Sequence, residues 1–193
     1  MDLNKVTKPT QILRTAKILF MQFGFKRVSV EEICRTANVS KMTFYKYFAN
    51  KTELIKALIE KMMTESIDNY HQIMARDVPY PEKVKSIIDM KLKISEGMGV
   101  RFFEEYLNYP DSEIRDFINE KTWAGIAQLL DDFYKARAEG NIRANLKPEF
   151  IIYFLNKLIE MAGDQQLIQL YDSPNDVTAE LINFFFYGIL PRN

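Results

Sequence analysis

The chain has one cysteine, Cys34, and one histidine, His71, in 193 residues. A lone cysteine closes no internal disulfide and supplies no cysteine-rich metal site. It reads as a small buried apolar residue of a helix, and His71 reads as a surface position. No histidine sits beside a Ser or Cys motif, and no Gly-rich phosphate loop or HExxH occurs. Glu104 and Glu105 are adjacent, so on a helix they point about 100° apart and form no acid/base pair. These gaps argue against an enzyme, and neither catalytic residues, a metal nor a cofactor is expected. No apolar run reaches the roughly 18–20 residues of a membrane span. The opening MDLNKVTKPTQ lacks the charged-then-apolar pattern of a signal peptide. The expectation is a cytoplasmic protein with no membrane partner. No strand-like alternation and no 20–50-residue repeat is evident, which leaves an all-α chain.

An excess of either charge is also missing, with 26 Lys and Arg against 26 Asp and Glu. Taken alone, that argues against nucleic acid. The distribution reverses it. Residues 1–54 hold ten basic and four acidic residues, a net +6, and leave −6 for the rest. A basic head on an acidic body suits a nucleic-acid binder with a second role, although a solvated charged face accounts for part of the pattern.

The stretch Val28 to Leu54, VSVEEICRTANVSKMTFYKYFANKTEL, organises the head. Ser29 with Glu32 fits a capping box, and Ile33 and Ala37 share one inward face. Asn38 tolerates the left-handed backbone of a sharp turn. Ser40 can cap a second short helix, Lys41 to Tyr47, with Phe44 and Phe48 turned inward. Lys41, Met42, Thr43, Tyr45, Lys46 and Tyr47 then crowd the remaining surface, as a helix for a DNA major groove requires. Upstream, Pro9 suits a first helical turn, and Ile12, Leu13, Ala16, Leu19, Phe20 and Phe23 recur at helical spacing before Gly24. Thr7 and Lys8 sit at that start, placed equally well for a phosphate or for capping and solvation. Asn50 caps a fourth helix, Lys51 to about Met74, whose N-terminus joins free amides to a cation, a natural phosphate site.

Beyond Asp77-Val-Pro-Tyr-Pro81 the spacing predicts further helices: Glu82 to Glu96, an aromatic one at Phe102 to Leu107, Glu113 to Ala138 capped by Ser112, Pro148 to about Leu170, and Asp176 to Tyr187. Gly97-Met98-Gly99 stops the first of these or gives it play. The total is about nine helices. The last two are apolar most of the way round and have two faces to bury. Phe154, Leu158, Leu181, Phe184 and Phe185 are expected at a two-fold homodimer interface, with Ala162 and Gly163 permitting close approach. A monomer whose other helices cover both faces is the alternative.

Residues 12–54 resemble the DNA-binding domain of the TetR (tetracycline repressor) family of transcription regulators. The matching positions include Ile12, Ala16, Leu19, Phe20, Gly24-Phe25, Val28-Ser29-Val30, Ile33, Ala37, Val39-Ser40, Thr43-Phe44-Tyr45, Tyr47-Phe48, Asn50-Lys51 and Leu54. Cys34, Asn38 and Met42 depart from the commonest form, and Met42 lies on the recognition helix. The resemblance implies a three-helix helix-turn-helix domain over residues 1–50 and a helical ligand-binding and dimerisation bundle over 51–193. It implies that Lys41, Met42 and Thr43 approach bases or phosphates, that Tyr45, Lys51 and Ser29 hold phosphates, and that Lys46 and Tyr47 lie at the groove edge. Core packing is the alternative for Tyr47. It further implies a small-molecule effector. Met90, Ile94, Met98, Phe102, Phe103, Tyr106, Trp123 and Met161 can line an apolar cavity, or serve as plain core. The expected function is a homodimeric repressor that binds a palindromic operator and is released by a hydrophobic effector. The alternative is an effector-independent regulator or an activator.

Overall fold

In the computed structural model, which describes residues 7–96, 98–107 and 109–189, ten helices account for all regular structure among the described residues. Gly97 of the Gly97-Met98-Gly99 stop lies outside them. The chain divides into two compact units, Met1–Met62 with Met98–Ile118, and Met63–Gly97 with Asn119–Asn193.

In the first unit, α1 (Lys8–Phe23) starts with proline in its first turn and buries Ile12, Ala16, Leu19 and Phe20 along one face. Gly24 ends it at φ 81°, returning its N–H to the Phe20 carbonyl at 2.7 Å. That backbone region is open to glycine and strained for other residues. The short helices α2 (Val30–Thr36) and α3 (Lys41–Tyr47) pack on α1 and on each other, and α4 (Lys51–Met74) buries Leu54, Ile55, Leu58 and Ile59. Helix α4 begins in this unit and continues into the second. A helix from later in the chain, α6 (Val100–Leu107), packs on α1. Phe102 is fully buried with its ring 4.8 Å from that of Phe25. The Gly99 N–H donates to the Met21 carbonyl at 2.8 Å, supplying a partner to the last turn of α1, where carbonyls lack one inside the helix. A Cβ on Gly99 would lie 2.7 Å from that oxygen, so this glycine is needed for proximity.

The second unit contains α5 (Tyr80–Glu96), most of α7 (Ser112–Ala138), α8 (Pro148–Ala162), α9 (Gln165–Ile168) and α10 (Pro174–Ile189). Phe133, Ile142, Ile151, Leu158, Phe185 and Ile189 form the middle of its core. Helix α10 packs on α5 and α8, and the Arg143 N–H ties down its end at the Ile189 carbonyl, 3.1 Å away. Tyr70 and Tyr80 lie in this unit near Asp132. Burial, followed by the Asp132 charge, raises the Tyr70 phenol well above its ordinary value and Tyr80 to about 12.

Two expectations are corrected. The helix from Pro148 ends at Ala162 rather than near Leu170, because Asp164 accepts the Gln166 and Leu167 N–H groups and starts the separate α9. That break makes ten helices instead of about nine. Helix α7 is capped by Asp111, whose Oδ1 accepts the Glu113 N–H at 2.8 Å, and not by Ser112, which is already helical. No described helix is long and apolar enough to cross a membrane.

Candidate nucleic-acid interface

The turn between α2 and α3 is built by local chemistry. Asn38 adopts φ 49°, among the described residues the one non-glycine residue with positive φ. Its short polar side chain makes that conformation less costly than it is for most residues. Gln11 of α1 donates to the Ala37 carbonyl at 2.7 Å and fixes the turn from below. Ser29 Oγ accepts the Glu32 N–H at 3.1 Å, and Ser40 Oγ accepts the Thr43 N–H at 3.0 Å. Each cap supplies an acceptor to a helix too short to be stable by itself.

Phe44 is wholly buried and Phe48 nearly so, with ring centroids 5.8 Å apart. These pegs lie four residues apart and fix which way α3 faces. Met42 is 82% exposed, Tyr45 52% and Tyr47 43%; Lys41 and Lys46 are exposed and Thr43 is half-buried. Tyr47 is therefore not a core residue of this unit. The outward surface of α3 carries two cations, a hydroxyl, a thioether and two phenols, and no carboxylate. Such a surface donates to phosphates and base acceptors and makes apolar contact with thymine methyls.

The flanking residues are more constrained. Thr7 and Lys8 are exposed at the start of α1; the Thr7 hydroxyl bonds Thr10 at 2.8 Å and Lys8 bonds Gln11 at 3.2 Å. Thr7 makes no side-chain cap to its helix. Ser29 is exposed at the N-terminus of α2. Lys41 pairs closely with Glu31 of α2, which holds the carboxyl below the usual carboxylate range and raises the ammonium above its ordinary value. Lys46 lies 5.9 Å above the Tyr47 ring. Lys51, half-buried in the first turn of α4, donates to the Lys26 carbonyl at 3.3 Å, and burial lowers its pKa.

The residues expected at an effector site divide between the two units. Met98, Phe102, Phe103 and Tyr106 belong to the first, where Phe102 and Phe103 are buried. Met90, Ile94, Trp123 and Met161 belong to the second, with Trp123 54% and Met161 41% exposed. Met90 lines an open cleft of about 430 Å³ with Asn69, Gln72, Ile73 and Arg76. Of the residues expected between subunits, Leu158 and Phe185 are buried inside the second unit, and Phe154 and Leu181 pack on the same core. Ala162 and Gly163 are half-buried at the end of α8. Phe184 is 68% exposed, and Tyr153, Tyr187 and Phe150 are exposed on the same two helices. His71 is exposed and Cys34 is buried. Glu31 and Glu105 are the side chains whose contacts sequence reasoning did not find, Glu105 being weighed there only as one of two adjacent carboxylates. Helical spacing shows neither the cross-helix pairing of Glu31 nor the approach of Glu105 from α6.

Residues 12–58 match the family model for bacterial regulatory proteins of the tetR family. The HTH-type transcriptional regulator YhgD of Bacillus subtilis (strain 168) is 22% identical over 153 residues, covering 76% of this chain and 78% of its own. The fatty acid degradation regulator FadR of Bacillus halodurans shares the fold at a TM-score of 0.74 and 20% identity, over 98% of this chain and 100% of its own. The transcriptional regulator FadR of Bacillus subtilis, solved with stearoyl-CoA, aligns at 0.69 and 19%, over 93% and 98%.

Proposed function

From the premise that this chain is a tetR-family transcriptional regulator with a DNA-binding helix-turn-helix, we propose that it binds a palindromic operator as a homodimer and represses until a hydrophobic effector releases it. Residues 1–50 would read DNA, and residues 51–193 would bind the effector and the second copy. The observation that carries the reading is α3, with Phe44 and Phe48 buried beneath an outward surface free of carboxylates. Lys41, Met42 and Thr43 would meet bases or adjoining phosphates. Thr7, Lys8, Ser29, Tyr45 and Lys51 would hold the backbone, with Lys46 and Tyr47 at the groove edge. Two recognition helices about one turn of DNA apart, roughly 34–36 Å, would set the half-site spacing.

The second copy would seat on the aromatic surface of α8 and α10, where exposed Phe184 and Tyr187 support the assignment. For the effector, the second unit holds Met90, Ile94, Trp123 and Met161 of the residues expected to line the site. The stearoyl-CoA in the B. subtilis relative makes long-chain acyl thioesters the first compounds to test. Effector binding would shift α4 and change the separation of the recognition helices. Moving such an equilibrium from mostly bound to mostly released requires roughly 5.5 kcal/mol of differential effector affinity.

Selection of bound duplexes from a random pool, repeated with acyl thioesters and other hydrophobic compounds, tests the proposal. Enrichment of an inverted repeat, lost when one compound is added, is the expected result. Recovery of no preferred sequence at low salt would overturn the reading. An enriched repeat that no compound releases would favour an effector-independent regulator.

A further inference from the structure

Glu105 lies on α6, far in sequence from the helix-turn-helix, yet its carboxylate sits on the turn between α1 and α2. Its Oε2 accepts the Lys26 backbone N–H at 3.0 Å. A Cβ on Gly24 would lie 2.9 Å from Oε2 and 3.1 Å from Oε1, so the carboxylate fills the space that a side chain would otherwise occupy. Gly24 is at φ 81°, which independently disfavours any other residue there. Lys26 uses both of its backbone polar groups in one chain of contacts. Its N–H goes to Glu105, and its carbonyl accepts the Lys51 ammonium at 3.3 Å. The Glu105 charge also acts favourably on the protonated Lys51. Phe25, between Gly24 and Lys26, is fully buried against Phe102 and lies 5.7 Å from the Tyr109 ring, so the turn is clamped on its apolar side as well.

The geometry points to Glu105 as a positioning residue for DNA binding: it pins Lys26, whose carbonyl holds the Lys51 ammonium at the first turn of α4, where a phosphate would meet it. A lysine side chain is otherwise free to sample many rotamers, and holding it beforehand lowers the ordering cost on binding. This inference rests on the reading of Lys51 as a phosphate contact, and its test separates the two.

The full chain is titrated with a duplex of random sequence across a range of salt, because a phosphate contact is independent of sequence. Lys51→Ala should weaken binding and reduce the slope of log affinity against log salt by about one. Glu105→Ala should lose affinity several-fold with the slope moving the same way, and the double variant should be no weaker than Lys51→Ala alone. Glu105→Gln, whose amide oxygen can still accept the Lys26 N–H, should keep most of the affinity. Glu105→Asp keeps the charge but is one methylene too short, and should behave like Glu105→Ala. If the alanine variant fails to fold, the Gln and Asp variants carry the test. Effects of Glu105→Ala and Lys51→Ala that simply add, or a Gln variant weaker than the Asp variant, would overturn the positioning role. Binding indifferent to Lys51→Ala would overturn it together with the phosphate assignment of Lys51.

Discussion

Lys41 and Lys51 are both cations of the proposed DNA surface, and they are restrained in opposite ways. Lys51 is held by a neutral carbonyl, which leaves its charge uncompensated by that contact, whereas Lys41 is tied to the carboxylate of Glu31. An approaching phosphate would therefore compete with Glu31 for Lys41. Glu31→Gln should raise DNA affinity roughly two- to five-fold at low salt, the scale of an exposed ion pair. Unchanged or weaker binding in a fluorescence titration would show that the pair does not restrain Lys41. The two glycines of the first unit also do different things. Gly24 supplies a backbone conformation, while Gly99 supplies closeness to the Met21 carbonyl. Gly99→Ala would place its Cβ inside contact distance of that oxygen. It should cost about 1–3 kcal/mol by overpacking, read from a urea melt; a stability equal to that of the parent would contradict the close approach. The conformational role of Gly24 was legible in the sequence, since it ends a helical run before a buried Phe. Gly99 was legible only as a stop, because the carbonyl it touches lies 78 positions earlier.

At the level of elements, the helices of the head were readable because each carries its own punctuation. Ser29, Asn38, Ser40 and Asn50 all perform the local role their chemistry suggests. The Glu32 side chain lies 3.6 Å from Arg27, a pairing that spacing alone does not reveal. In the second unit the apolar pattern runs almost unbroken from Phe150 to Ala162, and its strength concealed the stop at Gly163. The same excess leaves Phe150, Tyr153, Phe184 and Tyr187 of α8 and α10 exposed. Phe185 is 3% exposed and Phe184 is 68% exposed, so a step of about 100° round α10 takes one phenylalanine into the core and leaves its neighbour at the surface. Glu at Phe185 would report on folding. Glu at Phe184 and Tyr187 together should instead yield folded monomers that bind DNA poorly, seen as halved mass in light scattering. An unchanged dimer mass would place the partner surface elsewhere.

For the whole molecule, the zero net charge conceals a +6 head and a −6 remainder, so binding to duplex should fall steeply with salt despite a pI near 6.6. Alkaline stability follows from the tyrosines of the second unit. Tyr80 titrates at about 12 when folded, against an ordinary value of 10.0. A raised folded value means that its contribution is fully present below pH 10 and is lost as pH rises towards 12. Melting temperature should therefore hold to about pH 10 and fall beyond it, and Tyr80→Phe should flatten that fall. An equally steep decline in the variant would assign the effect to other groups. Spacing marked Tyr80 only as part of a break, because its surroundings come from α7.

The first unit is assembled from two separated pieces of chain, with Gly99 meeting the last turn of α1, and Phe102 and Glu105 of α6 meeting the turn that follows it. Anyone grafting this head onto another regulator to change its operator would therefore have to transplant two segments. A hybrid joined at a single cut after α3 or within α4 would leave Phe25 facing a foreign surface, with Met21 and Lys26 deprived of their partners. Specificity exchange in this protein is a two-splice problem.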